Sequence, residues 1–148
     1  MFCLRYKNFI EDTPISSQTQ LSVIPLPFHI NRFIQEGGRT RKDSTIVMPP
    51  LRMKVPFVQE GRDKEFHRTY VLRSIVTHLG PNIGGGHYVT YIPDPTEVNA
   101  EGIPTHWARA SDGSPKQRCA WKQVGQEIAL NGYIFMYDLE PEPAADPS

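Results

Sequence analysis

Proline and glycine punctuate this chain so closely that long helix has little room in it. Fourteen prolines and eleven glycines fall among 148 residues, and each favours a turn or the end of a regular element. Between them stand short runs rich in β-branched and aromatic side chains. PLPFHINRFI, residues 25–34, alternates Phe28 and Ile30 after a proline stop, with Phe33 breaking the period, and predicts a strand. GGRTRKDST, 37–45, predicts a charged turn, with Arg39, Arg41 and Lys42 solvated. IVMPPLRMKVPF, 46–57, is extended but interrupted by prolines, which makes it an edge or a connector. YVLRSIVTHL, 70–79, is the strongest strand, and 89–92 and 107–110 are two shorter ones. KQVGQEIAL, 122–130, sets Val124 and Ile128 four apart, a single-faced helix weakened by Gly125. GYIFMYDL, 132–139, predicts a buried strand. The sum is a mainly antiparallel β chain with minor helix.

The ends carry less. Residues 1–24 are polar, and CLRYKNFIED within them is compatible with one or two helical turns. EPEPAADPS, 140–148, cannot pack a core and predicts a disordered tail. A chain of this length suits one domain, here expected over 25–139. Sixteen basic and sixteen acidic residues leave no net charge, so neither a basic excess nor a basic stripe marks a nucleic-acid binder. No stretch approaches the roughly 18 apolar residues of a membrane span, and the N-terminus lacks the pattern of a signal peptide. Cys3 and Cys119 are the only cysteines. Two lone thiols build neither a disulfide framework nor a zinc pair, which favours a reducing, intracellular setting, cytoplasm or nucleus. Both read as small hydrophobes before they read as nucleophiles. His29, His67, His78 and His106 are scattered without ligand spacing, so no metal and no cofactor are expected.

The informative stretch is GGGHYVTYIPDP, 84–95. Three glycines weaken the start of a strand, so they serve something other than strand stability. Alone, His87 reads as a hydrogen-bonded histidine at a strand start. Its setting adds to that. The segments 87–92 and 106–111 flank a polar connection, and a simple hairpin between them pairs residues whose numbers sum to about 198. His87 then lies opposite Ser111, with Asp112 one step on. A general base needs such a neighbour, because an acceptor on Nδ1–H leaves Nε2 to face a nucleophile. Ser111, Asp112 and Gly113 also make good turn chemistry, and the two readings stand side by side.

These residues form an ordered series that resembles the histidine box of the ubiquitin-specific proteases, a family of cysteine deubiquitinases. The series runs Gly86, His87, Tyr88, Tyr91, Trp107, Ser111, Asp112 and then Tyr133 to Tyr137. Upstream, Pro27, Ile30, Arg32 and Phe33 are similar to the family's strand ending in Arg-Phe, and IVMPPLRM to the extended segment after it.

The resemblance implies an α+β, papain-like thiol protease fold, of which this chain is the mainly antiparallel, palm-like half. It implies cleavage of the isopeptide bond after ubiquitin's C-terminal Gly-Gly. His87 is then the general base, Ser111 the residue that orients it, and Asp112 a nearby negative charge or the group that polarises the attacking water. Serine brings no charge and stabilises an imidazolium less than a carboxylate does. Gly85 and Gly86 clear a path for a narrow substrate tail, and Tyr88 joins them in binding substrate. Trp107, Tyr133 and Phe135 belong to the core. The family's cysteine box, with its oxyanion-forming Asn, has no counterpart: Cys3 lacks that setting and Cys119 follows the histidine. The expected partners are ubiquitin or a ubiquitinated protein and an N-terminal half that carries the thiol. The alternative is a catalytically inactive ubiquitin-binding or scaffold module, or a truncated fragment.

Overall fold

The longest strand, β6 (Glu65–Asn82), spans 18 residues and organises the rest of the chain. Its run YVLRSIVTHL has the β-branched and apolar content that a strand buried on both edges requires. The structure, a computed structural model, describes residues 4–6, 25–59, 65–114 and 116–140. Before β6 come β1 (Leu4–Tyr6), β2 (Leu26–His29), β3 (Phe33–Glu36), β4 (Arg39–Lys42) and β5 (Arg52–Gln59). After it come β7 (Gly85–Pro93), β8 (His106–Ser111), β9 (Gln117–Ala120), the helix α1 (Trp121–Asn131) and β10 (Gly132–Leu139).

Among the described residues the main sheet has 8 strands, and β3 and β4 form a separate hairpin. Tyr70 pairs with both Met53 of β5 and Leu139 of β10, while Ile75 pairs with both Tyr91 of β7 and Phe135 of β10. A strand has two edges, so β10 lies along one edge of β6 while β5 and β7 share the other, one behind the other. At the fork between them the Leu72 amide bonds to the Leu51 carbonyl at 3.0 Å. β8 and β9 extend the sheet beyond β7, and β2 covers the outer edge of β10. All these pairings are antiparallel; only β1 runs parallel to its partner, β5.

One face of the sheet holds the core: Phe57, Tyr70, Leu72, Ile75, Val89, Tyr91, Trp107, Phe135 and Tyr137. α1 closes it with Val124 and Ile128, four residues apart and therefore on one helical face. Complete burial of a side chain such as Ile128 contributes about 1.5–3 kcal/mol. At the helix start the amide of the N-cap residue, Ala120, donates to Gln123 Oε1 at 2.8 Å, the N3 side chain's half of a capping box.

Several expectations hold: the antiparallel character, the strand at 70–79, the two shorter strands, the helix around 122–130 and the buried strand at 132–139, with Trp107 and Phe135 in the core, whereas Tyr133, expected there too, is only half-buried. Others are corrected. The single strand expected at 25–34 is two, β2 and β3, because the chain turns at 30–32 to send the Arg32 side chain inward. The turn expected at 37–45 is confined to Gly37 and Gly38, both with positive φ, and Arg39–Lys42 is a strand. Of 46–57, the first part is a connector and Arg52–Pro56 an edge, as expected, but β5 is paired on both sides at Phe57 and Val58, where β1 lies along its other edge. Pro56 stands just before that doubly paired stretch. β9 carries no alternating pattern to announce it. Leu4–Tyr6 is a strand rather than a helical turn. The rest of 1–24 lies outside the described residues, as does the tail from 141. Glu140, the first residue assigned to the tail, donates its amide to the Thr69 carbonyl at 2.8 Å.

Candidate active site

His87 stands two residues into β7, on the face that also carries Val89 and Tyr91. Ser111 ends β8, and Asp112 and Gly113 turn the chain: the Ser114 amide returns to the Ser111 carbonyl at 3.0 Å, and Gly113 takes φ +60°. Glycine suits that position because a side chain is strained there. The turn reading and the orienting reading are therefore compatible. One turn presents both side chains to the histidine.

The observed register pairs Val89 with Ser111 and Thr90 with Ala110, two residues from the register expected. His87 lies diagonally across from Ser111 rather than opposite it. Its ring still reaches, and Nε2 is hydrogen-bonded to Ser111 Oγ. Nδ1 lies 3.2 Å from Asp112 Oδ2. The expectation that an acceptor holds Nδ1 and leaves Nε2 open is thus half met. Asp112 faces Nδ1, but Ser111 occupies Nε2. The two partners differ in setting: the imidazole is 40 % exposed and the Asp112 carboxylate 85 %.

The glycine run divides by role. A Cβ on Gly84 would meet nothing within 4 Å, and one on Gly85 would meet only Asn82 Oδ1, at 3.8 Å. A Cβ on Gly86 would stand 2.3 Å from His78 Nε2 and 2.7 Å from the Leu79 carbonyl oxygen. Gly86 is bare because a ring and a carbonyl already fill the space. Tyr88, one residue past His87, points to the other face. Its ring meets His78 edge-on at 4.9 Å and leans towards Tyr133 at 6.1 Å. His87 and Tyr88 therefore serve opposite sides of the sheet.

Four features escaped the sequence. The Arg32 guanidinium, on a residue only 1 % exposed, donates to the carbonyls of Gly132 (2.9 Å), Ala129 (3.0 Å), Asp43 (3.4 Å) and Thr45. It caps the carboxyl end of α1, where carbonyls lack partners and a cation is favoured. Lys42, expected in solvent, donates to the His78 carbonyl and, at 2.7 Å, to Asn131 Oδ1. The Tyr91 hydroxyl donates to Glu127 of α1 and accepts from Arg109 Nε at 3.2 Å, tying the helix to the hairpin that carries His87. His78 itself is buried.

Cys119 is no partner for His87. Its thiol donates to the Trp107 carbonyl at 3.2 Å, and burial pushes its pKa up. It pairs with Trp107, four residues back along β8 from Ser111, or about 13 Å at strand rise. Cys3 lies outside the described residues. Among the described residues no group of three or more His, Cys, Asp or Glu side chains could hold a metal ion.

Comparison with known proteins identifies the family. Residues 7–137 match the family described as ubiquitin carboxyl-terminal hydrolase, and the chain belongs to that family. Ubiquitin carboxyl-terminal hydrolase 21 of Arabidopsis thaliana is 27 % identical over 134 residues, which cover 87 % of this chain and 17 % of the relative. Ubiquitin carboxyl-terminal hydrolase 10 of Rattus norvegicus is 28 % identical over 135 residues, 86 % of this chain and 16 % of the relative. The chain thus spans about a sixth of the length of these relatives. Among solved structures, a chain of the Ubp8-Sgf11-Sgf73-Sus1 SAGA DUB module superposes with a TM-score of 0.55 at 20 % identity, covering 78 % of this chain and 24 % of that one. That likeness concerns the fold. The resemblance drawn from the series around His87 is borne out.

Proposed function

We propose that this chain is the base-bearing, palm-like half of a papain-like deubiquitinase, and that it takes part in hydrolysing the isopeptide bond after ubiquitin's C-terminal glycine. The observation that carries the reading is His87 held between Ser111 and Asp112, in a chain of the ubiquitin carboxyl-terminal hydrolase family. Ser111 anchors Nε2 from the end of a strand. Asp112, far more exposed, is the partner that can be exchanged, so Nδ1 is the nitrogen offered to a thiol. That thiol is not Cys119, and on this reading it comes from another part of the full-length protein or from a partner chain. His87 takes the thiol proton, the thiolate adds to the glycine carbonyl, and His87 returns the proton to the departing lysine amine. Asp112 then polarises the water that hydrolyses the thioester. The open space at Gly84 and Gly85 suits passage of a narrow peptide tail, and the lone thiols suit an intracellular setting.

A second reading, a ubiquitin-binding module without chemistry, is favoured by the engagement of both His87 nitrogens and by the uncharged Ser111. One pair of experiments separates the two. The full-length protein and its His87→Ala variant are assayed on a fluorogenic ubiquitin C-terminal amide, and the chain is titrated with ubiquitin by NMR. Turnover that His87→Ala abolishes supports the catalytic reading, and full activity in that variant overturns it. Ubiquitin binding without turnover in the unaltered protein supports the second.

A further inference from the structure

The ring of His78 packs against Tyr88 and the Gly86 backbone, on the side of the sheet opposite to His87. It is 3 % exposed and is met by three aromatic rings: Phe33 at 5.2 Å, Tyr88 at 4.9 Å and Tyr133 at 6.5 Å between centroids. Its Nδ1 has no hydrogen-bond partner. A buried polar atom left unsatisfied costs free energy that an apolar side chain would avoid. The shape of the ring, and what lies against it, accounts for the residue better than its nitrogens do.

What lies against it is Gly86. The backbone there is pressed from two directions, because the space a Cβ on Gly86 would take is filled by His78, while a Cβ on Gly80 would stand 2.9 Å from both Gly85 O and Gly86 Cα. The His78 carbonyl is in turn fixed by the Lys42 ammonium, which also holds Asn131 at the end of α1. Helix end, β4, β6 and the first residues of β7 are therefore linked through one residue.

We propose that His78 is a positioning residue for His87: its ring is the seat on which the Gly86 backbone lies, and that seat aims the His87 imidazole at Ser111. A side chain two residues into a strand inherits its direction from the peptide planes before it, and of the three glycines before His87 only Gly86 has its own Cβ position filled, by the His78 ring and the Leu79 carbonyl. The groups facing the His78 ring are Lys42 from β4, Tyr88 from β7 and Tyr133 from β10, with Phe33 apolar. None is an anion. Burial first, and the Lys42 ammonium second, lower the pKa of His78, so the seat is a neutral ring at ordinary pH.

The inference deepens the proposed function, and its primary test does not depend on that function. The tautomer of His87 is read from the ring nitrogen shifts in long-range 15N–1H spectra of the chain, with cooperative urea unfolding as the control for fold. In the unaltered chain, with Ser111 Oγ at Nε2 and Asp112 at Nδ1, His87 gives one tautomer. His78→Ala and Gly86→Ala are each expected to give mixed tautomers and to lose the Ser111 contact in a chain that still unfolds cooperatively. Gly84→Ala, at an open position, leaves the signature intact. Should His78→Ala fail to unfold cooperatively, His78→Leu and Gly86→Ala carry the same test. A His87 signature unchanged in every folded variant overturns the proposal.

In the full-length protein His78→Ala and Gly86→Ala are expected to lower kcat on a ubiquitin amide about ten- to a hundredfold, with KM within about twofold, as for a misaimed catalytic group. A uniform loss of folded protein would instead leave kcat per folded molecule unchanged and count against positioning. An unaltered protein that shows the tautomer coupling and no turnover refutes the deubiquitinase reading while leaving the seat standing.

Discussion

Arg32 and Gly132 stand 100 residues apart, and the Arg32 Nε–H donates to the Gly132 carbonyl at 2.9 Å. The same guanidinium reaches Ala129, a turn earlier in α1. One buried cation thus joins the start of the sheet to the junction between α1 and β10, and it does so through carbonyls alone.

Arg32→Ala is expected to destabilise the chain by about 3–5 kcal/mol, the usual cost when a buried charged partner is removed and polar groups stay behind. Arg32→Lys recovers only part of this, since an ammonium cannot reach four carbonyls with the fork of a guanidinium. Urea unfolding midpoints at neutral pH measure both, and equal stability of Arg32→Lys and the unaltered chain would refute the capping role.

Stability is expected to fall on mild acidification in a way that His78 governs. Its pKa is depressed in the folded state, so between the folded and unfolded midpoints the unfolded chain binds more protons, and stability rises with pH there. The contribution is complete above the unfolded value of about 6.5 and is lost as pH falls through the folded midpoint. Unfolding curves at a series of pH values show this limb, and His78→Leu flattens it.

On the proposed reading, Ser111→Ala lowers kcat about ten- to a hundredfold with KM little changed, a fraction of what general-base catalysis supplies. Ser111→Asn, which can still accept at Nε2, retains most of the activity. Steady-state kinetics on the full-length protein decide it, and a Ser111→Ala variant as fast as the unaltered protein removes Ser111 from the mechanism.

Cys119 is expected to react with iodoacetamide more slowly than a free thiol at pH 8, because burial disfavours its thiolate and its proton is held by the Trp107 carbonyl. Mass spectrometry of the native chain, with the urea-unfolded chain as reference, gives the ratio. Equal rates would place the thiol in a reactive setting.

The part of the candidate site that the sequence displays is local. His87, Ser111 and Asp112 are read from an ordered series and from the idea of a hairpin, and both survive. The register slips by two because the 94–105 connection folds upon itself. The Asn99 side chain accepts from Glu101 and Ile103, and the Asp94 amide carries the ladder on to His106. Arg32, Lys42 and His78 were not legible for a different reason. Their partners are backbone carbonyls and a missing Cβ, which leave no residue-type signal, and they lie in distant segments. Lys42 sits among Arg39, Arg41 and Asp43, and nothing in that run tells an inward cation from its exposed neighbours. Pro56 was informative, since among the described residues β5 is paired on one side only over Arg52–Pro56.

The pairing of β2 with β10, His29 against Ile134, sets an order of events during synthesis. β2 leaves the ribosome about a hundred residues before the strand that will cover it, an interval of about 5–20 s at ordinary elongation rates. The β6–β7 and β7–β8 pairs close meanwhile from local contacts, which form faster than distant ones. The hairpin bearing His87 and Ser111 is therefore assembled while β2 still waits for the last strand of the sheet.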